Sequence, residues 1–434
     1  MGYSNLIFLL FLAFAVFLFA KNIKKIIRNI RLGRDINRSD NPAERFSLMT
    51  RVALGQSKIM TRPFAGFLHV IVYLGFIIIN IEVLEIIIDG LFGTHRAFSF
   101  MGKFYNFLIG SFEILAFAVL VSCVIFLLRR NLIKIPRFFN PEITKWPKTD
   151  ANLILVIEIL LMSAFLLMNA ADAMLQSKDI NHYVKAGSFP ISAILTDLFQ
   201  NSNISLGTLI FIERSTWWFH IIGILAFLNY LPYSKHLHIV LAFPNVFYSN
   251  LKPKGQFNNM QSVTNEVKLM FDPAAVIQND LPSGKFGAND VKDLSWKNLM
   301  DAYSCTECGR CTSECPANIT GKLLSPRKIM MDTRDRIEEV GKNIDQHGSD
   351  YDDGKSLFSY INKEEILACT SCNACVQACP VNIDPLSIIM ELRRYKIMEE
   401  SSAPSEWNNV FSNMENNGAP WQFSPTDRLN WREE

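Results

Sequence analysis

The sequence predicts a mainly α-helical protein: a five-span transmembrane helix bundle followed by a cytoplasmic α-helical domain organised by cysteines. Three observations predict it. Five long apolar runs lie in the first 250 of 434 residues. Lysine and arginine are concentrated in alternate connections between those runs. Eight of the nine cysteines fall in two tight runs of the second half. The chain is 49% hydrophobic and 19% charged with a net charge of +2, so it lacks the basic surplus of a nucleic-acid binder. An odd, clustered cysteine count does not suit a secreted disulfide framework and reads as metal binding in a reducing compartment.

A spanning helix needs roughly 20 mostly apolar residues. Five stretches qualify, at about 3–20, 64–88, 106–128, 151–175 and 215–243, within a membrane domain over 1–250. The first has no basic segment before it and no small-residue cleavage site after it. Lys21, Lys24, Lys25, Arg28, Arg31 and Arg34 follow at once, so it reads as a retained anchor. Residues 21–62 carry eleven Lys or Arg and 129–150 carry six, while 89–105 and 176–206 carry two each. Positive charge stays inside. The N-terminus is therefore expected outside, and everything after about 243 in the cytoplasm, which agrees with the cysteine argument.

Three of the seven histidines, His69, His220 and His238, lie in apolar segments. A histidine in lipid is costly and faces the bundle interior. On one continuous fifth helix, His220 and His238 are 18 residues apart. That is five whole turns, so they share a face roughly 27 Å apart, and His236 lies about 160° round from His220. His69 and His238 are then at matching depth near the cytoplasmic surface. Two readings stand: a bis-histidine b-type haem site, or interfacial histidines bonded to backbone and headgroups. Glu82, Glu85, Glu113, Glu158 and Asp172 are further intramembrane polar groups. They read either as a proton path or as neutral acids bonded to carbonyls, and they are too scattered in sequence to argue an ion pump. Cys123 reads as a small buried hydrophobe.

Residues 251–290, mixed in Pro, Gly, Asn and Lys, read as a linker. A domain over 291–400 holds CTECGRCTSECP, with Cys305, Cys308, Cys311 and Cys315, and CTSCNACVQACP, with Cys369, Cys372, Cys375 and Cys379. Each is the C-x2-C-x2-C-x3-C-P run that ligates a cubane [4Fe-4S] cluster. Three closely spaced thiolates clamp one cube, and the fourth, past the turn, reaches the other. Cluster 1 is thus expected on Cys305, Cys308, Cys311 and Cys379, and cluster 2 on Cys369, Cys372, Cys375 and Cys315. Zinc knuckles use ligand pairs rather than such runs. SPRKIMMDTRDRIEEV (325–340) between them predicts a helix opened by Ser325 and Pro326, and GSDYDDGKS (348–356) a surface loop. No nucleotide fingerprint, P-loop, nucleophile elbow or HExxH helix occurs.

FLHVIVYLGF (67–76) and WWFHIIGILAFLNYLPYSKHLHIVLAFP (217–244) resemble the haem helices of the respiratory nitrate reductase gamma-subunit superfamily, which includes membrane subunits of heterodisulfide-reductase-like complexes. The resemblance implies a cytochrome b-like domain with His69 and His238 on a haem b iron near the cytoplasmic side. A second haem in that family uses a histidine ten residues further along the second span, paired with the position of His220. Here that position is Ile79. His220 is left for a different partner, such as His95 or His182, or for a quinone pocket. The cysteine domain resembles the helical dicluster ferredoxin domain of succinate dehydrogenase iron–sulfur subunits and heterodisulfide-reductase-like proteins. ENNGAPWQFSPTDRLNW (415–431), in a tail over 401–434, resembles the segment leading into a cysteine-rich CCG domain. It implies a partner-docking tail for a separate cytoplasmic CCG-domain-like redox subunit.

The expected function is that of an electron-transfer subunit in the bacterial inner (cytoplasmic) membrane. It would pass electrons between a cytoplasmic redox partner and quinone through two [4Fe-4S] clusters and haem b. A membrane anchor and relay without a quinone site of its own is the competing reading.

Overall fold

The computed structural model describes residues 2–133, 135–178, 182–202, 204–275 and 285–433. About 70% of the chain is helical, and no strand occurs among the described residues. Among the described residues, five helices are long and apolar enough to cross a membrane: α1 (Tyr3–Ile30), α2 (Pro63–Phe92), α3 (Lys103–Asn131), α4 (Trp146–Ser177) and α5 (Leu206–Tyr230, continued to Tyr233 by a 3-10 turn). The first four have windows of mean hydropathy 2.4 to 2.6; α5 reaches only 1.3, because it carries Glu213, Arg214 and His220. A helix that spends apolarity on ionisable groups does so where they have partners or ligands.

α4 packs between α3 and α5, and α1 lies against α2 and α5. Small residues let the helices close up. A Cβ on Gly90 would sit 2.7 Å from the Phe8 ring, and one on Gly223 would sit 2.6 Å from Leu161. Polar groups finish the seams: Asn5 Nδ2 donates to the Gly90 carbonyl at 2.8 Å.

The fifth span departs from the expected 215–243. The helix begins at Leu206 and ends at Tyr230, and Leu231–Tyr233 and Lys235–Leu237 form 3-10 turns before α6 (His238–Phe247). Pro232 removes a backbone donor and crowds the preceding turn. The buried Asp150 of α4 then gathers the donors of the break: Ser234 Oγ at 2.7 Å, Lys235 N at 3.1 Å and the Tyr230 hydroxyl. The phase argument for a continuous helix from His220 to His238 therefore does not apply.

The cysteine domain is docked on the bundle's end rather than tethered to it. Its core, with Leu294, Leu299 of α7 (Trp296–Ser304), Ile329 and Ile337 of α8 (Pro326–His347) and Ile388 and Leu392 of α9 (Pro385–Arg394), is continuous with Ile26 of α1, Val52, Leu237 and Val246. α1 runs on past the apolar segment to meet it. Asn29 donates to the Tyr303 hydroxyl at 2.9 Å, and Lys25 pairs with Asp345 at 2.6 Å. From the other side the fully buried Arg327 pairs with Glu142 at 2.7 Å and donates to the Arg137 carbonyl at 2.8 Å. The stretch read as a linker holds a helix, Gln261–Phe271, and its end belongs to the domain, where Ala288 N donates to the Glu391 carbonyl at 3.0 Å.

Candidate functional site

The two cysteine runs fold alike. α7 ends at Cys305, and the chain then turns through left-handed backbone at Glu307 (φ 55°) and Gly309 (φ 71°). The second run repeats this two and four residues after its first cysteine, at Ser371 (φ 58°) and Asn373 (φ 61°). Such paired left-handed residues wrap a loop around a concavity and turn its amides inward. Ser371 N lies 3.4 Å from Cys369 Sγ, and Ile383 N lies 3.3 Å from Cys379 Sγ. Pro316 then opens a short helix after Cys315.

The fourth cysteine of each run joins the other run. Cys315, Cys369, Cys372 and Cys375 line one small cavity, walled by Leu324, Leu386 and Ile389. Cys379 lies in the field of Cys308 and Cys305, and Cys311 in that of Cys308, Cys305 and Cys379. Burial pushes the free thiols of Cys305 and Cys379 up to about 11 and about 12. Neither is a ready nucleophile, whereas a bound metal would ionise them. Among the described residues, no three or more His, Cys, Asp or Glu side chains close on a point fit for one ion. Of the eight run cysteines, Cys372 alone is exposed.

Charged side chains tie the first run to the bundle. Arg310, between Cys308 and Cys311, donates to the carbonyls of Lys58 at 2.9 Å and Ile59 at 3.3 Å, in the segment leading into α2. Lys58 returns the contact, its Nζ 3.2 Å from the Cys379 carbonyl. Glu307 pairs with Arg334 at 2.8 Å and with Lys235, at the break after α5. These partners outweigh burial and hold the Glu307 carboxyl below the usual carboxylate range.

His69 and His238 meet where those ties converge. Their ring centroids are 6.5 Å apart with planes inclined at 45°. His238 Nδ1 donates to the Lys235 carbonyl at 3.0 Å, which leaves its Nε2 as the free acceptor. His69 Nδ1 is buried without a hydrogen-bond partner among the described residues. His236, expected to point elsewhere, stands 5.5 Å from His238 and 5.2 Å from Phe227, because the break turns it back.

His220 is buried on α5 with Nδ1 donating to the Leu161 carbonyl at 3.0 Å and its ring beside Phe165. Its expected loop partners face each other instead. His95 and His182 are 5.7 Å apart, and His95 Nε2 donates to Asp172 at 2.9 Å.

Of the carboxylates that are scattered in sequence, Glu82, Glu85, Glu113 and Asp172 gather around Arg96. Its guanidinium holds Asp172 at 2.8 and 3.0 Å, Glu82 at 3.1 Å and Asn169 at 2.7 Å. Asn169 donates on to Glu113 at 3.1 Å, and Glu85 accepts from Tyr105 at 2.8 Å. In the sequence Arg96 stands only as one of two basic residues in 89–105. The signal available was a lone arginine in a short loop flanked by helices that each carry buried acids.

Residues 304–383 match the 4Fe-4S dicluster domain family. Over 99% of its length the chain is 28% identical to a probable iron-sulfur-binding oxidoreductase, FadF, of Bacillus subtilis, covering 61% of that protein. It is 25% identical over 92% to the EtfAB:quinone oxidoreductase of Syntrophomonas wolfei, covering 55% of it. Over 33% it is 30% identical to a probable membrane-anchored ferredoxin of Chromohalobacter salexigens, covering 24% of it. Heterodisulfide reductase subunits of Methanosarcina match 24–33% of the chain. No solved structure matches. The chain thus spans about 60% or less of the length of the relatives that match nearly all of it. It is a helical membrane protein with a 4Fe-4S dicluster domain, related to iron–sulfur oxidoreductases and heterodisulfide reductase subunits.

Proposed function

We propose that the chain is the membrane electron-transfer unit of a quinone-linked oxidoreductase, carrying two [4Fe-4S] clusters and one haem b. Cluster 1 sits on Cys305, Cys308, Cys311 and Cys379, and cluster 2 on Cys369, Cys372, Cys375 and Cys315. The convergence of each fourth cysteine on the opposite run supports this crossed ligation. The haem iron is held by His69 and His238. Two imidazoles bonded to one iron at about 2 Å have centroids roughly 6 Å apart, close to the separation found. The Lys235 carbonyl fixes the tautomer that offers Nε2 to the metal, as second-shell acceptors do for ligating histidines. The clusters and haem supply one-electron carriers.

The protein's own work is placement. The observation that carries this reading is the pair of ties from the first cysteine run, Arg310 to the segment before His69 and Glu307 to Lys235 beside His238. They support a cluster 1 adjacent to the haem. Cluster 2, with Cys372 exposed, faces the cytoplasmic partner, a CCG-domain-like redox unit engaged through the tail, where Phe423, Leu429 and Trp431 are exposed. Electrons then run between partner, cluster 2, cluster 1, haem and quinone in the bacterial cytoplasmic membrane, with the cysteine domain inside. The similarity to an EtfAB:quinone oxidoreductase over most of the chain supports the quinone end. His220 has Phe165 rather than an imidazole beside it, which supports a single haem.

The test is an absorption spectrum of the purified, reduced chain. A sharp low-spin haem band lost in both His69→Ala and His238→Ala is expected; a band that survives either change rejects the ligand pair. Reoxidation of that haem by quinone, blocked by a quinone-site inhibitor, separates this function from a relay without a quinone site.

A further inference from the structure

A cavity of about 280 Å³ lies at the end of the bundle remote from the cysteine domain, between α1, α2, α4 and α5. One wall is aromatic. Phe8 packs against Trp217 at 5.6 Å and Trp218 at 6.1 Å, and the two indoles meet edge-on at 5.2 Å. Polar groups share the lining: Glu82, Arg96 and Asp172 of the buried network, the imidazoles of His95 and His182, and Arg214, whose guanidinium lies 5.6 Å from the centre of the Trp217 ring. Glu82 is 2% exposed. Its Oε1 accepts from Arg96, while its Oε2 is buried and has no hydrogen-bond partner among the described residues.

A buried carboxylate oxygen left unpaired costs free energy, and such a group in a concavity marks a missing donor. The size is at the small end of ligand pockets, enough for one flat ring and far short of a porphyrin. A planar ligand that stacks on indole and carries a hydroxyl donor fits this lining. We infer that this cavity is the binding site for the head group of a quinol, with Glu82 Oε2 accepting the hydrogen bond of a ring hydroxyl and Trp217 and Trp218, which stand edge-on to each other, packing on the ring by one face and one edge. This rests on the quinone-linked reading above but moves the site away from His220, which does not line the cavity. Glu82 is thirteen residues from His69 on the same helix, roughly 20 Å along its axis. Ring and haem would then stand at opposite ends of α2.

The position of the indoles gives a direct assay. The full chain, purified in detergent with its cofactors, is titrated with decylubiquinone and with 2,3-dimethyl-1,4-naphthoquinone while tryptophan fluorescence is read. Saturable quenching by at least one of them is expected in the wild type. Glu82→Gln replaces the free acceptor, and Ile86→Phe fills the cavity without changing charge; each should weaken the midpoint at least tenfold. Glu158→Gln, at a half-buried acid outside the cavity, should leave it unchanged. Saturable quenching with the same midpoint in wild type, Glu82→Gln and Ile86→Phe would overturn this site while leaving the quinone-linked function standing. No saturable quenching in the wild type, together with no reoxidation of the reduced chain by either quinone, would overturn both.

Discussion

Arg96 is the residue on which the far end of the bundle depends. Its side chain is 7% exposed, and it reaches Asp172 and Glu82, each 2% exposed, from a loop held by Asp89 through the amides of Arg96 and Ala97. Arg96→Met keeps much of the volume and removes the one cation that, among the described residues, pairs with both acids. Breaking a buried pair by deleting one partner costs about 3–5 kcal/mol, because the other charge is left uncompensated. At roughly one degree per kcal/mol for a chain of 434 residues, that is a Tm loss of about 3–5 °C. The reasoning locates the cost in the stranded charge rather than in lost packing. Arg96→Met combined with Asp172→Asn should therefore recover more than half of the loss. Thermal unfolding of the single and double variants in the same detergent reads this directly. A single variant within about 2 °C of wild type would refute the argument, as would a double variant no better than the single.

Four further outcomes follow from the geometry near the cysteines. Lys235→Met removes a positive charge that pairs with Glu307 between two cluster-1 cysteines. At an effective dielectric of about 20 and a separation on the order of 10 Å, the loss is roughly 1.7 kcal/mol, so the cluster-1 and haem midpoints should fall by about 70 mV and that of cluster 2 by less, read by potentiometric titration. Cys379→Ser should abolish the same electron paramagnetic resonance signal as Cys308→Ser and spare the one lost in Cys372→Ser; if Cys379 tracks with Cys372, the crossed ligation is wrong. His236→Ala should keep the reduced haem band, since His69 stands opposite His238; loss of the band without loss of folding would assign the ligand to His236. A cysteine reporter in 178–205 should label from outside the cell and one in 345–356 should not, and the reverse pattern would invert the orientation drawn from seventeen against four basic residues.

Periodic and compositional signals carried the architecture. Five spans, the helix after Ser325 and the two cysteine runs are all written in contiguous residues, where lipid thickness and cubane geometry impose their own spacing. Ser325 caps its helix as expected, accepting from Lys328 N at 3.3 Å. What escaped was whatever depends on distant segments meeting. Glu82, Glu113 and Asp172 lie on three helices, and a lone arginine in the short loop between two of them is the one local sign that they meet. The tertiary partner of Asp150 was invisible. It is a lone acid at the start of a span, and its role exists only because Pro232 breaks another helix 82 residues later.

That break bears on the whole electron route. Had α5 continued straight, His238 would lie about 27 Å from His220 along one axis, and the chain would leave the membrane as a helix pointing away from the bundle. Instead the turn at 231–237, gathered onto Asp150, lays α6 across the bundle's end, against the segment Thr50–Leu54 and α7. Leu237 and Val246 thereby enter the core of the cysteine domain, and the Lys235 side chain reaches the first cysteine loop while its carbonyl holds His238. One residue thus fixes the tautomer of a histidine and the position of the loop it faces. The carbonyl oxygen and Nζ are joined only through the four-carbon stem of the lysine, but that side chain is largely buried, so the histidine and the loop share one anchor. The distance between the His69–His238 pair and the first cysteine run is therefore set by packing rather than by a linker. A chain that must move electrons between fixed points, and not by collision of mobile domains, requires that rigidity.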